Sequence, residues 1–143
     1  MRELYQEVII DHNRHPRNFA VMTDHSHYAE GFNPLCGDRV HLFLNIKNNK
    51  ISAASFQGSG CAIATASASI MTEILANKDI SEVQIIFDHF HALLTADVAS
   101  KIDLGKLTVL AGVREFPARV KCATLAWHTL MAALKNKKKA TTE

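Results

Sequence analysis

The most constraining feature of the sequence is a strand-like run that ends in glycines and a cysteine and continues into small helix-forming residues. It reads Phe56-Gln57-Gly58-Ser59-Gly60-Cys61 followed by Ala62-Ile63-Ala64-Thr65-Ala66-Ser67. This pattern predicts a strand-to-helix junction with Cys61 at the helix N-terminus, where free backbone N–H groups and the helix dipole favour an anion. We therefore expect Cys61 to act as a thiolate, the form of cysteine that attacks electrophiles and binds metals.

Length and charge limit the classes of protein that this chain can be. Its 143 residues are 48% hydrophobic and 21% charged, which is typical of one globular domain with a real core. We expect a single domain over residues 1–135 and a basic, flexible tail over residues 136–143. A net charge of +2, much of it from lysines near the C-terminus, is too small to predict nucleic-acid or membrane binding.

The sequence also points to a reducing compartment. The first residues include acidic side chains and no apolar core run, so they do not resemble a signal peptide, and no stretch approaches the roughly 20 apolar residues of a membrane span. The number of cysteines is three, which cannot close into disulfides without a remainder. We expect a cytoplasmic protein with free thiols.

Hydrophobic spacing predicts a β-hairpin that gathers several polar residues. Apolar residues alternate with polar ones from Val40 to Ile46, residues 48–50 favour a turn, and Ile51 to Phe56 form a return strand. The first strand follows Cys36-Gly37-Asp38 directly, and the second leads to Cys61. The hairpin therefore predicts Cys36, Asp38 and Cys61 at one end of a sheet.

The remaining segments are mostly helical by their spacing. We predict helices over residues 2–13 and 62–76, and a third that starts from a capping box at Ser81–Gln84 and ends near residue 95. Residues 16–34 are predicted as loop with at most one short strand, and residues 97–116 as a short helical piece interrupted at Gly105 and Gly112. Pro117 opens a last helix to Leu134, with Cys122 in its first two turns.

Three cysteines and an aspartate form the candidate site. Zinc prefers four ligands drawn from thiolate, imidazole and carboxylate, which Cys36, Asp38, Cys61 and Cys122 would satisfy. Against this, free cysteines are often buried as small apolar residues. The histidines are rival ligands, although each is better explained as a surface or core residue. Arg119 and Lys121 flank the third cysteine and could stabilise thiolates or merely lie on the helix surface.

These residues carry a specific resemblance that runs over nearly the whole chain. The matching pieces are Leu4-Tyr5, His15-Pro16-Arg17-Asn18-Phe19, Asn33-Pro34-Leu35-Cys36-Gly37-Asp38, Gly58-Ser59-Gly60-Cys61-Ala62-Ile63 with Ser67 and Ser69, and Pro117-Ala118-Arg119-Val120-Lys121-Cys122-Ala123-Thr124-Leu125-Ala126-Trp127. Together they resemble the NifU N-terminal/IscU/SufU family of iron–sulfur cluster assembly proteins. Lys121, in place of a histidine of IscU-type scaffolds, and the long segment between Ala76 and Pro117 resemble the SufU branch.

The resemblance implies a fold, a site and partners. The fold would be α+β and SufE/NifU-like, with a small antiparallel sheet and helices packed on one face. The metal would be zinc, held by Cys36, Asp38, Cys61 and Cys122, with Cys36 accepting persulfide sulfur and Arg119 in a supporting role. The partners would be a SufS-type cysteine desulfurase and downstream iron–sulfur assembly proteins.

Three alternatives remain open on the sequence. The same cysteines could assemble a transient [2Fe–2S] cluster, as IscU-type scaffolds do. A cysteine hydrolase or thiol peroxidase could use Cys61 with a histidine base, although this leaves Cys36 and Asp38 without a role. A purely structural zinc domain would keep its metal in a closed site and have no exposed acceptor thiol.

Overall fold

The computed structural model describes residues 3–96 and 100–142 as an α+β fold. The α-helices are α1 (Glu3–Arg14), α2 (Ala62–Leu75), α3 (Ile80–Thr95) and α4 (Pro117–Leu134), with a 3₁₀ helix over Gly105–Glu115. The strands are β1 (His27–Asn33), β2 (Asp38–Lys47), β3 (Lys50–Ser59) and β4 (Lys139–Thr141). Within the described part of the chain, no helix combines the length and hydropathy of a membrane span.

The predicted hairpin is confirmed as the centre of a four-stranded sheet. Strand order is β3-β2-β1-β4, with β1, β2 and β3 antiparallel and β4 parallel to β1. Asn48 and Asn49 make the tight turn with φ of 54° and 61°, a region that asparagine tolerates better than most residues. Arg39 pairs with Ser59, so the start of β2 lies beside the end of β3.

The helices cover one face of this sheet, as predicted. Helix α4 packs on β1 and β2, and α2 packs on β3 and against α4. Leu42 and Leu44 of β2 are fully buried, and so is Trp127 of α4, whose ring packs against Phe87 and Phe90 of α3. A Cβ on Gly31 of β1 would collide with Thr129 and approach Leu125, both on α4, so this glycine lets the helix lie directly on the strand.

Strand β1 is the one short strand that the prediction for residues 16–34 allows, although hydrophobic spacing does not locate it, and the reason is its inward face. The buried residues of β1 are Ala29, Gly31 and Asn33, which are small or polar. Close packing of α4 requires small side chains here, so the strand lacks the apolar alternation by which strands are recognised. Hydrophobic period alone therefore does not give the bounds of this strand.

The C-terminal segment also differs from its prediction. The sequence predicts a flexible basic tail from residue 136, whereas Lys139–Thr141 form strand β4 at the sheet edge. This strand is held by backbone hydrogen bonds, among them Glu30 N–H to Lys138 O at 2.8 Å and Thr142 N–H to Phe32 O at 3.3 Å. Such bonds do not depend on side-chain type. The lysine-rich sequence of this segment therefore carries no pattern from which the strand could be predicted.

Two smaller differences concern the helical segments. The capping box of α3 lies two residues before its predicted place, with Asp79 as the N-cap and Glu82 accepting the Asp79 N–H at 3.4 Å. Aspartate is a strong N-cap residue, so it competes effectively with Ser81. The predicted interrupted helical piece corresponds to the 3₁₀ helix, while residues 97–99 of that segment and residue 2 of the first helix lie outside the described residues.

Candidate metal centre

The turn between β1 and β2 presents two of the predicted ligands on either side of a glycine. Gly37 has a φ of 74°, in the left-handed region that favours glycine, and its N–H donates to Asn33 O at 2.8 Å. Cys36 is exposed on this turn, whereas Asp38 at the start of β2 is only 1% exposed. The turn therefore places an accessible thiol next to a buried carboxylate.

Cys61 lies where the strand-to-helix junction predicts, as the N-cap of α2. Its Sγ accepts the Ala64 N–H at 3.4 Å, and its own N–H donates to Asp38 Oδ1 at 2.9 Å. A Cβ on Gly60 would lie 2.5 Å from that same carboxylate oxygen, so this glycine allows Asp38 to approach the backbone. The hairpin prediction that Asp38 and Cys61 lie at one end of the sheet is confirmed.

Cys122 enters the site from the second turn of α4. It is 2% exposed, and its S–H donates to the Ala118 carbonyl at 3.5 Å. Burial raises the pKa of the Cys122 thiol, and its hydrogen bonding to Asp38, Cys61 and Cys36 raises it further. The thiol is therefore the stable form in the metal-free protein, and thiolate formation there requires a compensating positive charge.

The structure brings the ligand atoms of Cys36, Asp38 and Cys122 together within 4.8 Å of one another. Zn–S bonds are about 2.3 Å long, so two thiolates on one zinc are separated by less than about 4.6 Å, close to this spacing. Cys61 stands outside this group of three, although its N–H donates to Asp38, one of the three. The residues present therefore fit a zinc ion, with Cys61 as the natural fourth donor.

The other predicted candidates lie apart from this group. The Arg119 side chain is exposed on α4 and makes no hydrogen bond or ion pair with any described residue. His41 lies on the opposite face of the sheet and bonds the Tyr28 hydroxyl at 2.6 Å. The rings of His91 on α3 and His128 on α4 meet edge to face, with 6.0 Å between their centroids.

Two residues at the site were given no role by the sequence. Asn33, fully buried at the end of β1, donates from Nδ2 to Asp38 Oδ2 at 3.0 Å and lies 3.6 Å from Cys122 Sγ. Thr142, beyond β4, donates to Asn33 Oδ1 at 2.9 Å. Asn33 opens the motif that contains Cys36, which is a signal that could have found it. Nothing in the local sequence marks Thr142, because its role depends on strand pairing.

Comparison with known proteins identifies the family. The model of the NifU-like N terminal domain matches residues 4–142. The chain belongs to the NifU-like N-terminal domain family. This confirms the resemblance drawn from the cysteine motifs, and a family role in iron–sulfur cluster assembly follows from its relatives.

The family members that are similar to this chain include both SufU and IscU proteins. The zinc-dependent sulfurtransferase SufU of Bacillus subtilis is 41% identical, covering 89% of this chain and 86% of its own length. The iron–sulfur cluster assembly scaffold protein IscU of Streptococcus pyogenes serotype M1 is 35% identical, covering 94% and 85%. A crystal structure from Fervidobacterium islandicum AW-1, provisionally described as an iron–sulfur cluster assembly scaffold protein for the SUF system, is 30% identical with a TM-score of 0.85, covering 90% of this chain and 94% of that one.

Proposed function

We propose that this protein is a zinc-dependent sulfur carrier for iron–sulfur cluster assembly, and that Cys36 accepts sulfur from a cysteine desulfurase. The observation that carries the proposal is a difference in exposure within one group of donors. Cys36 is exposed, whereas Asp38 and Cys122, whose ligand atoms lie close to that of Cys36, are buried. The similarity to a zinc-dependent sulfurtransferase of Bacillus subtilis supports it. The free thiols that this role needs suit a reducing cytoplasm.

Cys36, Asp38, Cys61 and Cys122 would hold the zinc. A bound zinc ion keeps coordinated cysteines deprotonated at neutral pH. Each Asp38 oxygen already accepts one N–H, from Cys61 or from Asn33, and a carboxylate oxygen retains a second lone pair for a metal. These two hydrogen bonds orient the carboxylate toward the cysteines before any metal binds.

Sulfur transfer requires that Cys36 attack a persulfide carried by the desulfurase. The Cys36 thiolate attacks the terminal sulfur of the donor persulfide, a new S–S bond forms at Cys36, the donor's S–S bond breaks, and the donor cysteine leaves as a thiolate. No external oxidant or reductant is consumed, because the transferred sulfur has the same oxidation state before and after the transfer. Among the three cysteines Cys36 is the exposed one, so it is the thiol that a partner protein can reach.

Exposed apolar side chains beside the site suit a partner protein. Leu35 is 61% exposed next to Cys36, and Phe116 is 54% exposed at the start of the helix that carries Cys122. Contiguous exposed apolar surface is typical of protein–protein contacts. We propose that a SufS-type desulfurase contacts them, and that the uncommitted guanidinium of Arg119 supports the approach of anionic sulfur species.

The test is to incubate the purified protein with a cysteine desulfurase and cysteine, and to measure bound metal and persulfide on each thiol by mass spectrometry. We expect about one zinc per chain and persulfide on Cys36 in the wild type. A Cys36→Ser variant should lose the persulfide, and omission of cysteine is the matched control. Zinc-loaded protein that carries no persulfide on any cysteine would refute the proposal.

A [2Fe–2S] scaffold is the second candidate, because the scaffold protein IscU of Streptococcus pyogenes is similar over 94% of this chain. Both functions use the same thiols, so the experiment must separate them. A red-brown species formed from iron and sulfide in zinc-free protein, with zinc absent from the isolated protein, would favour the scaffold. A cysteine hydrolase lacks support, because no histidine in the described residues is hydrogen-bonded to a cysteine.

A further inference from the structure

A chain of hydrogen bonds joins the C-terminal segment to the candidate metal centre. The Thr142 hydroxyl donates to Asn33 Oδ1 at 2.9 Å, and Asn33 Nδ2 donates to Asp38 Oδ2 at 3.0 Å. The same Nδ2 lies 3.6 Å from Cys122 Sγ. Asn33 is fully buried, so water cannot substitute for any of these partners. The end of the chain is thereby connected to two of the proposed ligands.

The Thr142 hydroxyl is one of three contacts that favour a single orientation of the Asn33 amide. In the observed orientation the amide NH₂ faces two acceptors, Asp38 Oδ2 and Cys122 Sγ, and the amide oxygen faces a hydroxyl donor. A flipped amide would place its oxygen against the Asp38 carboxylate, where two acceptors repel each other. Without the Thr142 hydroxyl, the amide oxygen of a buried side chain would have no partner, which is unfavourable.

Backbone pairing holds Thr142 in place. Thr142 N–H donates to Phe32 O at 3.3 Å, and β4, the strand that precedes Thr142, pairs in parallel with β1, the strand that ends at Asn33. Strand β4 also packs against α4, the helix that carries Cys122. The C-terminal strand is therefore fixed to both elements from which Asn33 and Cys122 extend.

We propose that Asn33 is a positioning residue of the metal centre and that Thr142, on the C-terminal strand, sets its orientation. This inference rests on the proposed metal-binding function. A donor set of three thiolates and one carboxylate carries more negative charge than a divalent cation neutralises, and an N–H donor directed at two of these ligands stabilises the excess. Loss of either Asn33 or the Thr142 hydroxyl should weaken metal binding, although neither residue would touch the metal.

The test compares Thr142→Val with Thr142→Ser, using Co²⁺ and Zn²⁺ as probes. Valine keeps the shape of threonine without the hydroxyl, whereas serine keeps the hydroxyl. We expect Thr142→Val and Asn33→Ala to lower metal affinity by about 10-fold to 100-fold, the usual effect of removing an outer-shell partner. We expect Thr142→Ser to bind as the wild type does. Affinity is measured by competition with a chromophoric chelator, and the Co²⁺ absorption bands report changed ligand geometry.

The outcomes separate this inference from the function on which it rests. The thermal midpoint of metal-free Thr142→Val should be lower than that of the wild type, because the Asn33 amide oxygen loses its partner. Circular dichroism at the temperature of the titration should show the same folded spectrum for both proteins, so that a loss of affinity cannot be assigned to unfolding. Equal metal affinity and equal Co²⁺ spectra for Thr142→Val and wild type would overturn the inference, and if Asn33→Ala fails to fold, the Thr142 pair still decides. Wild-type protein that binds neither metal would instead overturn the proposed metal function itself.

Discussion

Gly60→Ala tests whether close approach of the backbone to Asp38 builds the site. An alanine Cβ would lie 2.5 Å from Asp38 Oδ1 and 3.1 Å from both Asp38 Cβ and Cγ. Ordinary van der Waals separation is about 3.4 Å or more, so the carboxylate must move by about 0.9 Å. That oxygen accepts the Cys61 N–H at 2.9 Å, and a displacement of this size breaks or severely stretches the bond.

The magnitude follows from what the displaced carboxylate loses. A hydrogen bond to a charged group contributes about 1.5–3 kcal/mol, so we expect the metal-free variant to lose about 2 kcal/mol in the free energy of unfolding. For a chain of this size that corresponds to a fall of about 4–8 °C in the thermal midpoint. Because Asp38 is also a proposed ligand, metal affinity should fall by about 10-fold or more.

Gly105→Ala provides the matched control for this experiment. Gly105 has a φ of 55°, and, apart from its chain neighbours and the nearby backbone of its own helix, no atom of the described residues lies within 4 Å of the position that an alanine methyl would take. Alanine there therefore costs backbone strain of about 1–2 kcal/mol without a collision. Calorimetry of both metal-free variants, with Co²⁺ titration of each, separates stability from binding. We expect similar losses of stability and a loss of affinity in Gly60→Ala alone. Wild-type affinity in Gly60→Ala would show that the position of Asp38 does not matter to the site.

Three further predictions follow from packing, charge and exposure. Gly31→Ala should lower the free energy of unfolding by about 1–3 kcal/mol through overpacking against α4, and adding Thr129→Ala should recover part of it in a denaturant-based double-mutant cycle. Burial first, and nearby positive charges second, lower the pKa of His12 in the folded protein, so stability is full above the unfolded pKa of about 6.5 and declines as pH falls below it. Urea midpoints of metal-free protein at successive pH values should show this decline, and an equally steep decline in His12→Gln would contradict it. Alkylation of metal-free protein, followed by mass spectrometry, should modify exposed Cys36 first and buried Cys122 last. In metal-loaded protein, addition of a chelator should accelerate the alkylation of all three cysteines.

The sequence predicts the parts of this protein that depend on side-chain pattern. Alternation in β2, the asparagine turn and the glycine-rich junction before Cys61 together place Asp38 beside α2, and the structure agrees. The sequence allows one short strand in the segment that contains β1 but does not locate it, because close packing of α4 requires Gly31 and Ala29 where an apolar pattern is normally found. Strand β4 is not predicted, because it forms through backbone pairing with β1. Contacts between segments far apart in the chain leave no pattern in the local sequence.

The proposed site combines buried donors with one accessible donor, and this combination is the one that the proposed sulfur carrier needs and a structural zinc domain does not. Asp38 and Cys61 lie at the ends of regular elements and are joined by a hydrogen bond, and Cys122 is buried on a long helix. Cys36 alone extends from an exposed turn, next to a left-handed Gly37 that has open space on its Cβ side. A structural site gains most by enclosing every ligand, whereas a sulfur acceptor needs one thiol that can meet a partner while the others stay in place. The gradient of exposure from Cys122 through Cys61 to Cys36 therefore argues for transfer chemistry at Cys36.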